Sequence, residues 1–347
     1  MCNDDMKLSN FDYDLPPDRI AQVPLKHRDA SRLMVIDRST REFHHTQFSQ
    51  IGEFLPDPVL LVLNDTKVIP ARLIGNKSET GGKIELLLVQ EKETDTWEVL
   101  AKPRRMLRVG TQLIFGNGAL KAEVLEKPDN GNCIVHFTYK GVFSEILAEI
   151  GMMPLPPYIR RAPNEDDKVR YQSVYATNDG AIAAPTAGLH FTPELLEELR
   201  NNGVETAMLT LHVGIGTFQP VKVENVQSHN MHAEYIHIPQ TEANRICYAG
   251  ETGSKLVAIG TTVVRALETA GATGTVKPYN GYSELFIYPG YQFKVVDALL
   301  TNFHLPKSTL LMLVSAFADS VLIQKAYQEA LQQNYRFYSY GDAMLIL

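Results

Sequence analysis

Between residues 84 and 139 the chain alternates short apolar runs with turn residues such as Gly116-Asn117-Gly118. The last two runs, 120–125 and 133–139, alternate apolar and polar positions with a period of two, as half-buried strands do. Strands at this spacing, separated by such turns, predict a small β-barrel or β-sandwich. The predicted strands cover residues 84–89, 97–101, 112–115, 120–125 and 133–139.

A stiff connector follows, because residues 153–159 contain three prolines, each of which fixes φ and disfavours a helix before it. Beyond it the pattern changes to alternating strands and helices. One helix begins with Thr192 as a hydroxyl N-cap and Pro193 in its first turn, and Gly203 ends it. The other elements predicted here are strands at 204–213, 255–259 and 284–288 and helices at 263–270 and 309–318.

Strands are also predicted at 32–36 and 59–63, ahead of the barrel. An alternation of strands and helices indicates an α/β domain, and we assign the first stretch to it. The predicted fold is therefore an α/β domain interrupted by an inserted small β-barrel domain. Residues 1–66 and 161–347 form the α/β catalytic domain, and residues 67–160 form the barrel.

Composition narrows the class of protein only a little. The 347 residues are 44% hydrophobic and 21% charged, which is typical of a globular protein. The sequence has no apolar run of about 18 residues and no signal-peptide pattern at its start, so we expect a cytoplasmic protein without a membrane span. Three distant cysteines favour neither a disulfide framework nor a zinc site. A net charge of −7 argues weakly against a nucleic-acid partner, but local basic patches decide that question.

Five segments hold polar residues where a core strand or helix end would not need them. In one of them a predicted strand ends in Gly260-Thr261-Thr262 and a helix begins, so free backbone N–H groups and the helix dipole predict an anion site. Arg265 and Glu268 share one face of this helix, and a surface helix with an ion pair between them is the plain alternative. The five segments are 64–72, 184–191, 211–218, 259–268 and 301–309.

A second helix entry, at Lys307-Ser308-Thr309, could also hold a carboxylate or phosphate. It is not a P-loop, because Thr301 and Pro306 replace the glycines of that motif. Gly214-Ile215-Gly216 is not a dinucleotide fingerprint either, because Gln219 stands in place of the third glycine.

The histidines at loops and strand ends can be either structural or catalytic. His190, His212, His232 and His304 lie beside predicted loops or strand ends, where a structural histidine is more common than a catalytic one. His229, His232 and Glu234 fit no standard zinc spacing, so we expect no metal. The sequence lacks a G-x-S-x-G motif, which disfavours a serine hydrolase.

Two basic clusters flank or belong to the predicted barrel. Such charges usually form a solvated face, but in an acidic protein this arrangement also fits an RNA-binding patch. The clusters are Lys102, Arg104, Arg105 and Arg108, and Arg160 with Arg161.

Long strings of this sequence closely resemble the S-adenosylmethionine:tRNA ribosyltransferase-isomerase family of queuosine biosynthesis. The resemblance runs from about Met6 to the C-terminus, with an apparent extension before Met6 and Ser283 where the family usually has threonine. It rests on residues 29–33, 64–72, 153–161, 183–193, 211–218, 231–234, 260–268, 286–291, 296–315 and 335–346.

The resemblance implies a ribosyl transfer. S-adenosylmethionine is a consumed substrate and no cofactor is bound. Its ribosyl group passes to 7-aminomethyl-7-deazaguanine at the tRNA wobble position and becomes an epoxycyclopentane, giving epoxyqueuosine while adenine and methionine leave. Such chemistry needs a general base at the carbon next to the sulfonium, and a neutral histidine suits that role. The RNA partner is then the anticodon stem-loop, and we expect a monomer.

The sequence leaves the catalytic assignment open. His212 or His190 is the expected base. Asp297 and Glu234 are expected to orient or protonate the reacting groups. The expected donor-binding residues are Gly260, Thr261, Thr262, Arg265, Asn302, His304 and Lys307. The expected tRNA-binding residues are Asp65, Arg72, Lys102, Arg104, Arg105, Arg108, Arg160 and Arg161.

Two rival functions remain at this stage. A methyltransferase using the same donor would make S-adenosylhomocysteine instead of adenine and methionine. A non-catalytic RNA-binding protein built on the barrel would not need polar segments that lie mostly outside it.

Overall fold

The computed structural model of the chain describes residues 6–129, 131–214, 216, 221 and 223–347. Residues 1–5, Ile215, Gln219 and part of the polar segment 211–218 lie outside the described residues. Within the described ranges, nine strands form one mixed sheet and six others close into a barrel. The large sheet has the spatial order β15 (Tyr279–Ser283), β13 (Glu234–Ile238), β12 (Glu205–Leu211), β3 (Val59–Asn64), β14 (Lys255–Ile259), β16 (Ala298–Asn302), β17 (Ala343–Ile346), β1 (Arg32–Ile36) and β2 (Phe43–Gln47).

Four neighbouring parallel strands, β12, β3, β14 and β16, form the centre of this sheet. Antiparallel pairings extend it on both sides, with β13 and β15 beyond β12 and with β17 next to β16. Because the central strands are parallel, their carboxyl ends, at Leu211, Asn64, Ile259 and Asn302, meet at one edge. In α/β sheets ligands bind at that edge.

Both faces of the large sheet are buried, as expected for a parallel α/β sheet. Along β3, Leu60 and Val62 belong to one hydrophobic cluster while Leu61 and Leu63 belong to another on the opposite face. The α-helices of the described chain are α1 (Phe143–Ile150), α2 (Glu165–Arg170), α3 (Pro193–Asn201), α4 (Gln240–Glu251), α5 (Thr261–Ala270), α6 (Thr309–Ala318) and α7 (Ser320–Gln332). Helix α3 packs on one face, and α4 to α7 pack on the other.

The barrel has its own apolar core, and α1 packs on it through Phe143, which contacts Trp97 and Phe137. In sequence its strands come after β3 and before β12, which both belong to the large sheet. The barrel strands are β5 (Arg72–Lys77), β6 (Lys83–Glu93), β7 (Thr96–Lys102), β8 (Gln112–Phe115), β9 (Leu120–Glu126) and β10 (Cys133–Tyr139). A small parallel pair, β4 (Thr66–Val68) with β11 (Asn178–Ala181), lies outside both sheets.

Most predicted elements agree with the structure to within a few residues. The predicted entry of α3 is confirmed, because the Thr192 hydroxyl accepts a hydrogen bond from the Leu195 N–H at 3.1 Å. The strand predicted at 284–288 is wrong, and the strand of this region is β15, which precedes it. Leu285 has partners other than a neighbouring strand: its N–H donates to the Ser283 hydroxyl and its carbonyl accepts from Arg265.

No single helix in the described part of the chain is both long and apolar enough to cross a membrane. The helix pair α6 and α7, bent by 114°, passes that test by length and composition only.

Candidate functional site

A cavity of about 800 Å³, including its opening to solvent, lies at the carboxyl edge of the central strands. Gly260 and Thr261 line it after β14, and Asn302 and His304 line it at the end of β16. Of the predicted donor-binding residues, Gly260, Thr261, Thr262, Arg265, Asn302 and His304 therefore surround one cavity.

Two helix N-termini meet this cavity. Gly260 joins β14 to α5 with φ of 100°, a conformation that glycine adopts without steric cost. Val263 and Val264 are the residues whose N–H groups bond back to the Gly260 carbonyl, so the N–H groups of Thr261 and Thr262 lie ahead of the intrahelical bonds. Ser308, which caps α6 by accepting from the Leu311 N–H at 3.2 Å, also lines the cavity. These helix ends supply donors and positive dipole charge for an anion.

Arg265 does not bring a free charge to the cavity. Its guanidinium donates to the Glu234 carboxylate, and the two side chains are 4% and 3% exposed. The Nε of Arg265 donates to the Leu285 carbonyl at 3.0 Å, and the other Glu234 oxygen accepts from the Gly214 N–H at 3.0 Å. Glu234 was predicted to orient or protonate the reacting groups. In the structure its carboxylate instead balances the charge of Arg265 and keeps that side chain at the cavity wall.

The alternative of a surface helix with an Arg265–Glu268 ion pair is wrong. Both residues are buried, and Glu268 instead accepts hydrogen bonds from the N–H groups of Lys294, Val295 and Val296. Through these hydrogen bonds Glu268 connects α5 to residues 294–296, which precede β16.

His212 directly follows β12 and, like His190, is not itself among the residues that line the cavity, although its neighbour Val213 is. The Nδ1 of His212 is 2.8 Å from the Thr66 hydroxyl, and its ring stacks on Tyr235 at 5.5 Å. Burial lowers the pKa of His212, although the carboxylates of Asp65 and Asp179 act in the opposite direction. His212 is therefore neutral near pH 7, as a general base must be.

His190 and His304 are buried histidines, and burial lowers the pKa of each to about 3. His304 lines the cavity with its Nε2 2.9 Å from the Thr301 hydroxyl. His190 is not among the residues that line the cavity, and Ser31 and Asn302 contact its two ring nitrogens.

Two predicted residues lie away from the cavity. Asp297 precedes β16, so it lies at the amino edge of the sheet, where it accepts from the Leu256 N–H at 2.9 Å and pairs with Lys255. Lys307 pairs with Asp12 at 2.7 Å, and both side chains are half exposed. Of the features predicted to bind an anion, the cavity therefore has the two helix N-termini but not the Lys307 ammonium group.

The predicted tRNA-binding residues fall into two groups. Asp65 accepts from the Thr210 hydroxyl, Arg72 pairs with Glu85, and Arg161 forms a double ion pair with Asp167. Arg104 donates to two barrel carbonyls. The exposed residues, for which the described part of the chain shows no ion-pair partner, are Lys102, Arg105, Arg108 and Arg160.

The site residues predicted from the sequence leave out three tyrosines that line the cavity: Tyr158, Tyr171 and Tyr338. The Tyr158 and Tyr338 rings stack with centroids 4.4 Å apart, although 180 residues separate them. Tyr158 lies in the proline-rich connector, residues 153–159, for which the sequence indicated only stiffness. Among the residues described, no group of three or more His, Cys, Asp and Glu side chains is placed to hold a metal ion.

Comparisons with known proteins cover nearly the whole chain. A family model described as queuosine biosynthesis protein matches residues 8–346. The S-adenosylmethionine:tRNA ribosyltransferase-isomerase of Acetivibrio thermocellus is 54% identical over 342 residues, which are 98% of this chain and 100% of the relative. The protein of the same name from Desulfitobacterium hafniense is 53% identical over 343 residues, 99% of this chain and 100% of the relative.

A solved structure is also similar. The crystal structure of S-adenosylmethionine tRNA ribosyltransferase from Thermotoga maritima shares 40% identity and a TM-score of 0.57, covering 98% of this chain and 100% of that chain. The chain therefore belongs to the S-adenosylmethionine:tRNA ribosyltransferase-isomerase family of queuosine biosynthesis proteins.

Proposed function

We propose that the chain transfers the ribosyl group of S-adenosylmethionine to 7-aminomethyl-7-deazaguanine at the tRNA wobble position and isomerises it. The products are epoxyqueuosine-tRNA, adenine and methionine, and the reaction takes place in the cytoplasm. The observation that carries this proposal is that several of the segments shared with the family meet at one cavity, beside the carboxyl ends of β12, β14 and β16.

The donor's charges fit what the cavity offers. Its methionyl carboxylate is an anion, and the N-termini of α5 and α6 are sites for anions. The Arg265–Glu234 ion pair lies beside α5 and has no net charge. It therefore does not compete with the helix N-termini for the donor carboxylate.

The reaction needs a base for the ribosyl carbon next to the sulfonium, since the positive sulfur acidifies that carbon. His212 is the base in our proposal, because it is neutral, follows a central strand and is oriented by Thr66. In the same proposal Asp65, whose carboxylate accepts a hydrogen bond from the Thr210 hydroxyl, meets the acceptor base.

We propose that the barrel is an inserted domain, residues 67–160, whose exposed cations bind the anticodon stem-loop. Lys102, Arg105 and Arg108, all exposed, supply this charge between the end of β7 and the start of β8. Because the protein is acidic overall, its phosphate contacts depend on a local group of cations such as this one.

Incubating the protein with S-adenosylmethionine and tRNA that carries 7-aminomethyl-7-deazaguanine is expected to release adenine and methionine in step with RNA modification. Liquid chromatography of the small products and mass spectrometry of the RNA measure both. Unmodified tRNA with guanine at the wobble position is the control and gives neither product. S-adenosylhomocysteine together with methylated RNA would show that the protein is a methyltransferase instead.

Replacing Arg105 and Arg108 together with alanine is expected to weaken tRNA binding and to flatten its dependence on salt. Each lost phosphate contact lowers the slope of log affinity against log salt by about one, so the pair lowers it by about two. Fluorescence titration at several salt concentrations measures the slope, and donor affinity stays unchanged.

A matched control removes two exposed arginines on helices that pack against the large sheet, Arg200 on α3 and Arg245 on α4. This control variant changes the net charge by the same amount, and the slope of log affinity against log salt is expected to stay at the wild-type value. Equal slopes in the two double variants would show that the barrel cations are only a solvated face.

A further inference from the structure

The side chain of Asn302 lines the cavity at the end of β16 and is 1% exposed. Its Nδ2 lies 3.3 Å from the Tyr338 carbonyl and 3.4 Å from the Asp342 carbonyl. Carbonyl oxygens only accept hydrogen bonds, so the nitrogen of this amide, and not its oxygen, must face them. The orientation of Asn302 is therefore fixed.

The same nitrogen is 3.0 Å from Nε2 of His190. Because Asn302 donates there, Nε2 is the accepting nitrogen and the proton of the neutral ring is on Nδ1. Nδ1 is 2.7 Å from the Ser31 hydroxyl, which in turn donates to the Arg28 carbonyl at 3.2 Å. Burial lowers the pKa of His190 to about 3, so the ring stays neutral. Asn302, His190 and Ser31 thus donate in one direction, away from the cavity.

This arrangement leaves one polar atom of Asn302 unused. Its Oδ1 is buried and has no hydrogen-bond partner among the residues that the structure describes. A buried acceptor without a partner costs free energy, and native proteins keep such an atom mainly where a ligand or a function uses it. The two N–H groups of Nδ2 have three acceptors within reach, so the acceptor Oδ1 is what this side chain can offer to a ligand.

The surroundings of Asn302 fit a flat aromatic ligand. Tyr338, whose carbonyl accepts from Asn302, stacks on Tyr158, and both rings line the cavity. Tyr338 has φ of 72°, which is strained for an aromatic residue and is typical of functional sites. Aromatic rings beside a single acceptor suit a heteroaromatic base that carries an amino group.

We propose that Oδ1 of Asn302 accepts a hydrogen bond from the exocyclic amino group of the donor's adenine and so selects this base. Ser31 and His190 are positioning residues that keep the amide turned the right way. The proposal rests on the proposed function, because it takes the donor to be S-adenosylmethionine. The donor then lies with its adenine at Asn302 and its carboxylate at the helix N-termini.

The test compares the binding of S-adenosylmethionine with that of an analogue whose base is purine, which lacks the amino group. Calorimetry without RNA measures both affinities, so that a difference in leaving-group reactivity has no influence. The wild-type protein is expected to bind the analogue about tenfold more weakly or worse, because a site built for an N–H donor rejects a ligand that lacks it. Equal affinities in the wild-type protein would overturn the proposal without any variant.

In Asn302→Leu the two ligands are expected to bind within about twofold of each other, since no acceptor remains to distinguish them. In Ser31→Ala, His190 loses the hydroxyl that accepts from Nδ1 and can carry its proton on Nε2 instead. A proton on Nε2 would face the N–H group of Asn302, so we expect the difference in affinity between the two ligands to become smaller. His136→Gln, on an exposed position of the barrel, is the control and keeps the wild-type ratio. Full discrimination in Asn302→Leu would assign base selection to another residue and overturn the proposal.

The same preparations separate this inference from the proposed function. Adenine release with modified tRNA, together with equal binding of the two ligands, overturns the role of Asn302 alone. The absence of adenine release overturns the proposed function, whatever the binding ratio.

Discussion

Replacing His212 with alanine is expected to lower turnover by about a hundredfold or more while donor affinity changes only a few-fold, which is the usual result of losing a general base. His212 follows a central strand at the edge where the cavity lies, and the Thr66 hydroxyl holds one of its nitrogens. Gly180 adjoins the other nitrogen, where an added Cβ would come within 2.7 Å of Nε2. Single-turnover kinetics with modified tRNA measures the chemical step, and equilibrium titration measures donor binding.

The pH dependence of kcat/KM gives an independent test of His212. A base acts only in its neutral form, so activity is lost as the pH falls through its pKa. Burial lowers the pKa of His212 below its usual 6.5, and we therefore expect the acid-side midpoint below pH 6.5. The weak residual activity of His212→Ala is expected to lack this midpoint.

Two further variants make the result specific. His212→Asn keeps much of the polar shape but cannot act as a base near pH 7, so it is expected to be about as slow as the alanine variant. His136→Ala, on the barrel, is expected to keep wild-type turnover. Normal turnover in either His212 variant would make this histidine structural, and a collapse of donor binding would make it a binding residue.

The convergence of the polar segments could be predicted because it follows from strand direction. Asn64, His212, Gly260 and Asn302 each end or follow a predicted or observed parallel strand, and such ends share one edge of a sheet. By the same rule Asp297 lies at the opposite edge of the sheet from the cavity, because this residue precedes β16 instead of following it. No strand had been predicted at 298–302, so the sequence did not show on which edge Asp297 lies.

Contacts between distant segments could not be predicted in this way. Arg265 and Glu268 are neighbours on one helix, so the sequence suggested that they pair, yet each finds a different partner. Glu234 reaches Arg265 because β13, which Glu234 begins, joins the sheet beside β12. The stacking of Tyr158 on Tyr338 depends likewise on tertiary structure that no local pattern encodes.

The Arg265–Glu234 pair gives the second large expected effect. Arg265→Ala is expected to lower the free energy of unfolding by about 3–5 kcal/mol, because it leaves the Glu234 carboxylate buried without its counter-charge. The partly buried Leu285 carbonyl loses its donor at the same time. Urea unfolding followed by circular dichroism measures the change.

A matched exposed pair separates the effect of burial from that of losing an arginine. Arg200 pairs with Glu197 on α3 at 2.6 Å, but these side chains are 64% and 58% exposed, so Arg200→Ala is expected to cost less than about 1 kcal/mol. Replacing Arg265 with methionine and Glu234 with leucine together removes both charges and is expected to restore most of the lost stability. If Arg265→Ala costs no more than Arg200→Ala, the buried carboxylate finds another partner. If the double variant is as unstable as Arg265→Ala, packing and the Leu285 and Gly214 hydrogen bonds, rather than an uncompensated charge, account for the loss.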